Sequence, residues 1–440
     1  MAVLDGSIAN VALPTLSHEL RVDAAASIWV VNAYQLAVAV LLLPFSSLGD
    51  VVGYRKVYAS GIAIFTLGSL ACALSPTLAT LIAARVLQGV GGAAIMSIAP
   101  ALSRSIFPAK QLGVAVGISA LTVAASAAAG PTLGGAILAI APWPWLFAIN
   151  VPLGVFDTIF AARALPAGTP SGGRFDIASA FLSGPALACL VVALDGFARR
   201  LPAIAIVALV ASSIAFGYAF VRRQRVLAHA MLPLDLFSRP RFSLAAATSL
   251  CSFVAQGIAF VALPFLLQGA YGYSAFASGL LFTPWPLAIA VVAPIAGRLA
   301  DRLHPPVLST IGLVTFACGL ALFALLPARP APLEIVCCGI VAGLGFGFFQ
   351  APNNRELMGA APRNRSGGAA GVLATVRVTG QSLGAALVAI VLGTSAAANI
   401  DPKTTHALLE PVHVALRLAC ATAFVGTLVS ATRLRHTIEV

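Results

Sequence analysis

Charge is scarce in this chain. Only 9% of its 440 residues are Asp, Glu, Lys or Arg, against about 25% in a soluble globular domain. That shortage excludes an ordinary water-exposed fold. Acids are the scarcer sign, with 14 Asp and Glu against 26 Lys and Arg. Cysteine is sparse as well. Cys72, Cys189, Cys251, Cys318, Cys337, Cys338 and Cys420 all fall inside apolar runs, and their spacing fits neither a metal site nor a disulfide framework. They read as small core residues. The histidines at 18, 229, 304, 406, 413 and 436 lie at run ends, in connections or in the C-terminal tail. With no nucleophile–base set, no clustered ligands and no cofactor motif, the sequence argues against an enzyme, a metal site or a bound cofactor. No basic stretch precedes the first apolar run, so a signal peptide is not expected.

Apolar length is what the chain has in quantity. Its hydrophobic fraction is 60% and its mean hydropathy +0.98. Apolar runs of roughly 20 residues, the length that crosses a bilayer, recur fourteen times, at 1–17, 27–48, 57–74, 78–100, 112–141, 143–165, 177–196, 201–221, 242–269, 276–297, 307–327, 331–352, 368–395 and 411–431. The expected fold is an all-α membrane protein, with no connection long enough for a soluble domain. The first run is short for a bilayer, so either the membrane thins there or the native start lies upstream of Met1.

The formal charge of +12 invites a nucleic-acid reading, but the placement of the cations argues against one. With the N-terminus inside, the inner connections hold Arg55, Lys56, Arg104, Lys110, Arg163, Arg174, Arg222, Arg223, Arg225, Arg239, Arg241, Arg298, Arg302, Arg355, Arg363 and Arg365, and the tail adds Arg433 and Arg435. The outer connections hold Arg21, Arg199, Arg200, Arg329 and Lys403. This is the positive-inside asymmetry, and it puts both termini in the cytoplasm.

The chain also repeats. "SIANVALPTL" at 7–16 returns as "GIAFVALPFL" at 257–266, "SLGD" ending at Asp50 returns within "GRLADR" around Asp301, and "GPTLGG" from Gly130 returns as "GQSLGA" from Gly380. The three pairs share one register to within a single residue. Two six-helix bundles in parallel repeat, 1–165 and 242–431, account for it. The runs within 177–221 are then an inserted pair, 222–241 a basic cytoplasmic linker, and 432–440 a cytoplasmic tail. Asp5 aligns with Ala255. A residue needed only for the scaffold should recur, so this carboxylate, costly inside a membrane, reads as functional.

These motifs resemble the major facilitator superfamily, in particular its fourteen-helix drug:proton antiporter branch (EmrB/QacA-type exporters). "LDGSIANVALP" (4–14) is similar to that branch's first-helix motif. "SSLGDVVGYRK" (46–56) resembles the loop motif after the second helix, keeping Asp50, Gly53 and Arg55 but with Ser46 and Val51 departing from it. The second copy keeps Gly297, Asp301 and Arg302, with His304 in place of a glycine. "RVLQGVGGA" (85–93) resembles the fourth-helix motif with Arg85, and "SAAAGPTLGG" (126–135) the exporters' fifth-helix motif with Gly130, Pro131, Gly134 and Gly135. "WLFAINVPLG" (145–154) and "TVRVTGQSLG" (375–384) also look like this branch.

The resemblance implies a proton-driven exporter of small hydrophobic or cationic drug-like compounds in a bacterial inner membrane. A symporter, importer or specific-metabolite exporter would share the fold. A monomer is expected, powered by the proton gradient without a cofactor; periplasmic adaptor proteins are the one protein partner class raised. Asp5 and Arg85 are expected in a shared central cavity without necessarily touching, as the proton-coupling pair. Asp5→Asn is expected to insert and fold. Asp157, deep in the sixth run, is a second proton-site candidate or a local ion-pair partner. Asn10, Tyr34, Gln35, Gln88, Gln256, Gln350, Arg377 and Gln381 are the candidate cavity residues, with Asn150 a further uncharged polar group on a lining helix. Asp50, Gly53, Arg55, Gly297, Asp301 and Arg302 read as gate residues, and the 130–135 glycines as a bendable, closely packing segment.

Overall fold

A computed structural model describes residues 1–108, 112–165, 175–198, 201–227, 231–362, 366–396 and 408–438. Among them the regular structure is entirely helical. In lipid a helix satisfies its own backbone, and long apolar runs leave little else to form. We number the rods α1 Ala2–Glu19, α2 Ala24–Val52, α3 Tyr54–Ala73, α4 Leu78–Ile106, α5 Leu112–Ile140, α6 Trp145–Ala164 and α7 Ile177–Ala198. The series continues as α8 Ala203–Val226, α9 Pro240–Ala270, α10 Ala275–Leu299, α11 Pro305–Ala324, α12 Pro332–Gly359, α13 Ser366–Ala396 and α14 Leu409–Ile438. Of the fourteen expected spans, 13 of these helices are long and apolar enough to cross a membrane. The exception is α1, whose 18 residues include Asp5, Asn10, His18 and Glu19.

Local chemistry sets the ends and the irregularities. Single-residue breaks at Ile28, Ile149 and Thr283 jog α2, α6 and α10 near their starts. Pro264 removes a donor from α9, and the following turn, Phe265–Ala270, widens to π geometry, a local adjustment by which membrane helices re-satisfy backbone groups freed by proline. Gly53 joins α2 to α3 at φ 103° and ψ 134°, a region open essentially to glycine alone.

The sequence repeat reappears as a packing repeat. In the first half, a Cβ on Gly68 of α3 would lie 2.6 Å from the Gln88 backbone of α4, and one on Gly91 would lie 2.6 Å from Gly61 O. In the second half Gly319 presses on the Ala342 backbone and Gly345 on the Phe316 backbone in the same way. Without a hydrophobic force between helices in lipid, such small-residue contacts hold them together.

We call the face at which α1 begins the near face and the opposite one the far face. Hydrogen bonds tie the two halves across three of the helix pairs at which they meet. Thr132 of α5 and Thr283 of α10 share a hydrogen bond of 2.6 Å. Ser382 of α13 donates to Asn32 of α2 at 2.6 Å, and Gln268 donates to Val11 O at 2.8 Å. The inserted α7 and α8 pack on each other through Ser213 and the Ala186 carbonyl, 2.6 Å. Helix α7 leans on α2 and α13; Trp29 Nε1 donates to Asp195 at 2.6 Å.

Two sequence boundaries need correction. The basic stretch 222–241 is not all linker: α8 continues to Val226, Leu234–Phe237 forms a helical turn, and α9 begins at Pro240. Nor is 432–440 simply a tail, since α14 runs on to Ile438. Hydropathy falls at the membrane boundary, whereas leucine and arginine remain good helix formers beyond it. Lys110, Arg174, Arg199, Arg200, Arg363, Arg365 and Lys403 lie outside the described residues, as do the side chains of Arg104 and Arg435.

Candidate functional site

Arg85 and Gln88 are three residues apart on α4 and therefore share a face. That face meets the beginning of α1, the last turns of α3 and the break that opens α6. Arg85 Nη1 donates to Asp5 Oδ2 at 2.5 Å. Asp5 Oδ1 accepts from Gln88 Nε2 at 2.9 Å and from Asn150 Nδ2 at 2.8 Å. Gln88 also donates to Ser69 Oγ at 2.8 Å, while its Oε1 accepts from Arg85 at 2.5 Å. Arg85 Nε donates to the Val30 carbonyl at 2.8 Å. Its guanidinium lies 4.3 Å from the Tyr34 ring centroid and 5.5 Å from that of Phe147. Asp5 is 1% exposed and Arg85 0%.

The geometry revises the expected arrangement. Asp5 and Arg85 touch, and the carboxylate is turned into the first half rather than toward an open cavity. Helix ends are not level in this bundle, so Asp5, the fourth residue of α1, meets Arg85 in the early turns of α4, and arginine's long stem closes the remaining distance. Arg85 does not reach outward to the surface. Gln88 belongs to the Asp5 cluster rather than to a cavity wall, and Tyr34 lies against the guanidinium. Asn150, Ser69 and Val30 complete the cluster. Asn150 had a visible signal, as an amide inside an apolar run; Ser69 and the Val30 carbonyl had none.

The second half carries different chemistry at the matching level. Ala255 stands for Asp5, and Gly339, at the register of the α3–α4 repeat, for Arg85. Gly339 lies beside Trp285, whose ring packs against Phe260, Phe282, Phe316 and Phe323. One half holds a polar lock where the other holds an aromatic core.

A second buried charge cluster was missed in the sequence. Arg433 Nη1 donates to Glu356 at 2.7 Å and to Asn353 Oδ1 at 2.8 Å, and Nη2 to Ser430 at 2.6 Å. Asn353 in turn donates to Ser249 of α9 at 2.7 Å. Arg433 is 2% exposed, so it is a tie among α9, α12 and α14 and not a tail residue. The three-residue spacings Asn353–Glu356 and Ser430–Arg433 were its only trace.

The remaining candidates divide by location. Gln381 donates to Gln256 at 3.2 Å across α13 and α9, and the Arg377 guanidinium lies 6.0 Å from the Phe253 ring. Asn10 Oδ1, Gln35 Oε1 and the Tyr34 hydroxyl are buried without a hydrogen-bond partner, and Gln350 is half-buried. Asp157 is half-buried two turns along α6 from Asn150, with Tyr58 as its electrostatic neighbour, and takes no part in the Asp5 cluster. Arg417, at the far end of α14, pairs with Glu410 at 3.1 Å.

At the near face, Asp50 accepts from Tyr54 at 2.6 Å, and Arg55 reaches the Ala162 carbonyl. Asp301 pairs with Arg355, Arg302 is exposed, and Gly297 faces open space. The glycine segment of α5 packs on both sides. Gly130 abuts Ser7 and Gly134 abuts Ile8, one turn from Asp5. A Cβ on Gly135 would fall 2.5 Å from Ala275 O, and Gly279 is pressed on the Pro131 carbonyl. Small side chains there let α5 touch α1 and α10 together.

Comparison with known proteins bears on the family and the fold. The Major Facilitator Superfamily sequence model matches residues 1–385. The chain is 51% identical over 397 residues to the uncharacterized transporter YebQ of Escherichia coli K12, covering 89% of this chain and 86% of that one. It is 30% identical to the riboflavin transporter RibZ of Clostridioides difficile, covering 99% and 95%. It is 31% identical to the multidrug resistance protein Stp of Mycobacterium tuberculosis H37Rv, covering 99% and 83%. A crystal structure of a POT family transporter in complex with a thioalcohol-conjugated peptide shares the fold. Its TM-score is 0.67 at 13% identity, covering 100% of this chain and 95% of that one.

Proposed function

The chain belongs to the major facilitator superfamily of membrane transporters, and we propose that it exports small, largely hydrophobic compounds in exchange for protons. The observation that carries this reading is the buried Asp5–Arg85 pair. Asp5 is the titratable member, because arginine stays charged throughout. While ionised, Asp5 ties α1 to α4 and α6 through Arg85, Gln88 and Asn150. A proton on Asp5 cancels the charge that compensates Arg85, so the tie weakens and α1 is released from α4. The α5 glycines pack on the next turn of α1 and on α10, so a shift of α1 reaches the contact between the halves. That is the kind of motion alternating access needs.

One proton suffices as the driving load. A pH unit contributes about 1.4 kcal/mol and 100 mV about 2.3 kcal/mol, which together sustain a concentration ratio of several hundredfold. The export direction rests on relatives named for multidrug resistance, and the cytoplasmic placement of both termini on the distribution of arginines and lysines. A second reading, transport of one specific metabolite in either direction, is favoured by the riboflavin transporter, which is as similar to this chain as Stp is. Depletion rather than accumulation of a fluorescent compound in expressing cells separates export from import.

The coupling role is tested by proton release from purified protein on substrate addition, with uptake into inverted vesicles at equal amounts of folded protein. Asp5→Asn is expected to lose both, and Asp5→Glu to keep part. An Asn variant that releases protons and transports like the parent would falsify the mechanism.

A further inference from the structure

Asp5 is engaged by Arg85 and Glu356 by Arg433, so neither of these buried acids is available to a cationic ligand. One interior cation is in the opposite situation. Arg377 sits in the middle of α13 and makes no hydrogen bond or ion pair among the described residues; its guanidinium lies over the Phe253 ring. Its place in the helix shows where it points. Gln381, one turn on, bonds Gln256 of α9, and Gly380 and Gly384, on the same side, press on the backbone of α9. The opposite side, Val378 and Ser382, packs on α2. Arg377 therefore faces α9 and the seam between the halves, not lipid, and it is half-buried. The first half has Ala127 at the matching position, so the scaffold does not require the cation.

We propose that Arg377 selects substrate charge, and that the transported compounds are small amphiphilic anions with one carboxylate or similar group on an apolar, aromatic body. The inference rests on the transport reading above and replaces the cationic class suggested by the sequence motifs. An unpaired guanidinium offers a planar fork that matches a carboxylate, and a bound anion would supply the countercharge the site lacks. Phe253, itself buried and packed on Phe346 at 5.6 Å between ring centroids, makes the ground beneath the guanidinium apolar. The Gln256–Gln381 pair stands one turn away, the nearest polar groups on the same side of α13.

The test is equilibrium binding to the purified full chain, with no gradient applied, of 2-naphthoate, 2-naphthamide and 2-naphthylmethylammonium. The three share one ring system and differ in charge. Naphthoate is expected to bind at least tenfold more tightly than the ammonium compound. Arg377→Gln should abolish that preference and Arg377→Lys retain part of it. Should Arg377→Gln fail to fold, the charge series on the parent and on Arg377→Lys still decides. Equal binding, a preference for the ammonium compound, no selective binding of naphthoate, or an undiminished preference in Arg377→Gln would each overturn the proposal. Selective binding without proton-driven uptake would instead count against the antiport mechanism alone.

Discussion

Replacing Asp5 by asparagine leaves Arg85 as a buried cation with no carboxylate, and the structure sets the scale of the loss. Arg85 is fully buried and its Nη2 already lacks a partner. Asparagine would also turn either an amide donor or a neutral oxygen toward a guanidinium that needs an anion. Removing one partner of a buried ion pair costs about 3–5 kcal/mol, a fifth or more of the roughly 5–15 kcal/mol that holds a typical protein together. Arg85→Met should cost a similar amount, because it leaves the carboxylate with only the Gln88 and Asn150 amides. Combining the two removes both charges, and buried pairs replaced by apolar groups of similar volume are often no less stable. The double variant should therefore lose at least about 3 kcal/mol less than the sum of the single losses, the signature of direct coupling. Equilibrium unfolding in mixed micelles, followed by tryptophan fluorescence, measures all four corners of the cycle. A loss below about 1 kcal/mol for Asp5→Asn, or strict additivity in the double variant, would refute the claim that this pair is a closed, desolvated unit. A stable double variant that still fails to couple protons would separate the functional role of Asp5 from its structural one.

Three further outcomes are expected. Gly135→Val should insert and fold but lose transport, because any Cβ there collides with the Ala275 backbone across the α5–α10 contact; wild-type transport rates would show that this contact does not govern the halves' motion. At the near end of the inserted pair, the Arg223 guanidinium holds the Asp176 carboxyl well below the usual range, at about 2. A depressed folded-state pKa contributes stability above the unfolded value near 4 and loses it as pH falls toward 2. The stability gap between the parent and Asp176→Asn should accordingly be constant above pH 5 and close between about pH 4 and 2; a gap that persists at pH 2 contradicts the ion pair. Finally, with the exposed native Cys318 and Cys337 replaced, Ser238→Cys should react with an impermeant thiol reagent only from the cytoplasmic side and Thr77→Cys only from outside. The reverse pattern would invert the proposed orientation.

How much of this was readable in one dimension follows from the physics of each feature. A bilayer imposes a length and a composition, so helix number and approximate ends stand in the sequence, as does the repeat that reappears as the matched Gly68–Gln88 and Gly319–Ala342 contacts. A carboxylate and an arginine in apolar runs are costly enough to be conspicuous, and Asp5 and Arg85 could be singled out without coordinates. Their direct contact could not be read, because it depends on how helices 80 residues apart tilt and on ends that do not lie level. Asn150 looked like any other amide, and Arg433 looked like tail because hydropathy ends before the helix does. The two arginines show the division best. In the sequence Arg85 and Arg377 are alike, single cations in apolar helices; only the tertiary structure supplies one with Asp5 and leaves the other facing the seam without an acid, since the distance to a countercharge is a property of packing and not of order along the chain.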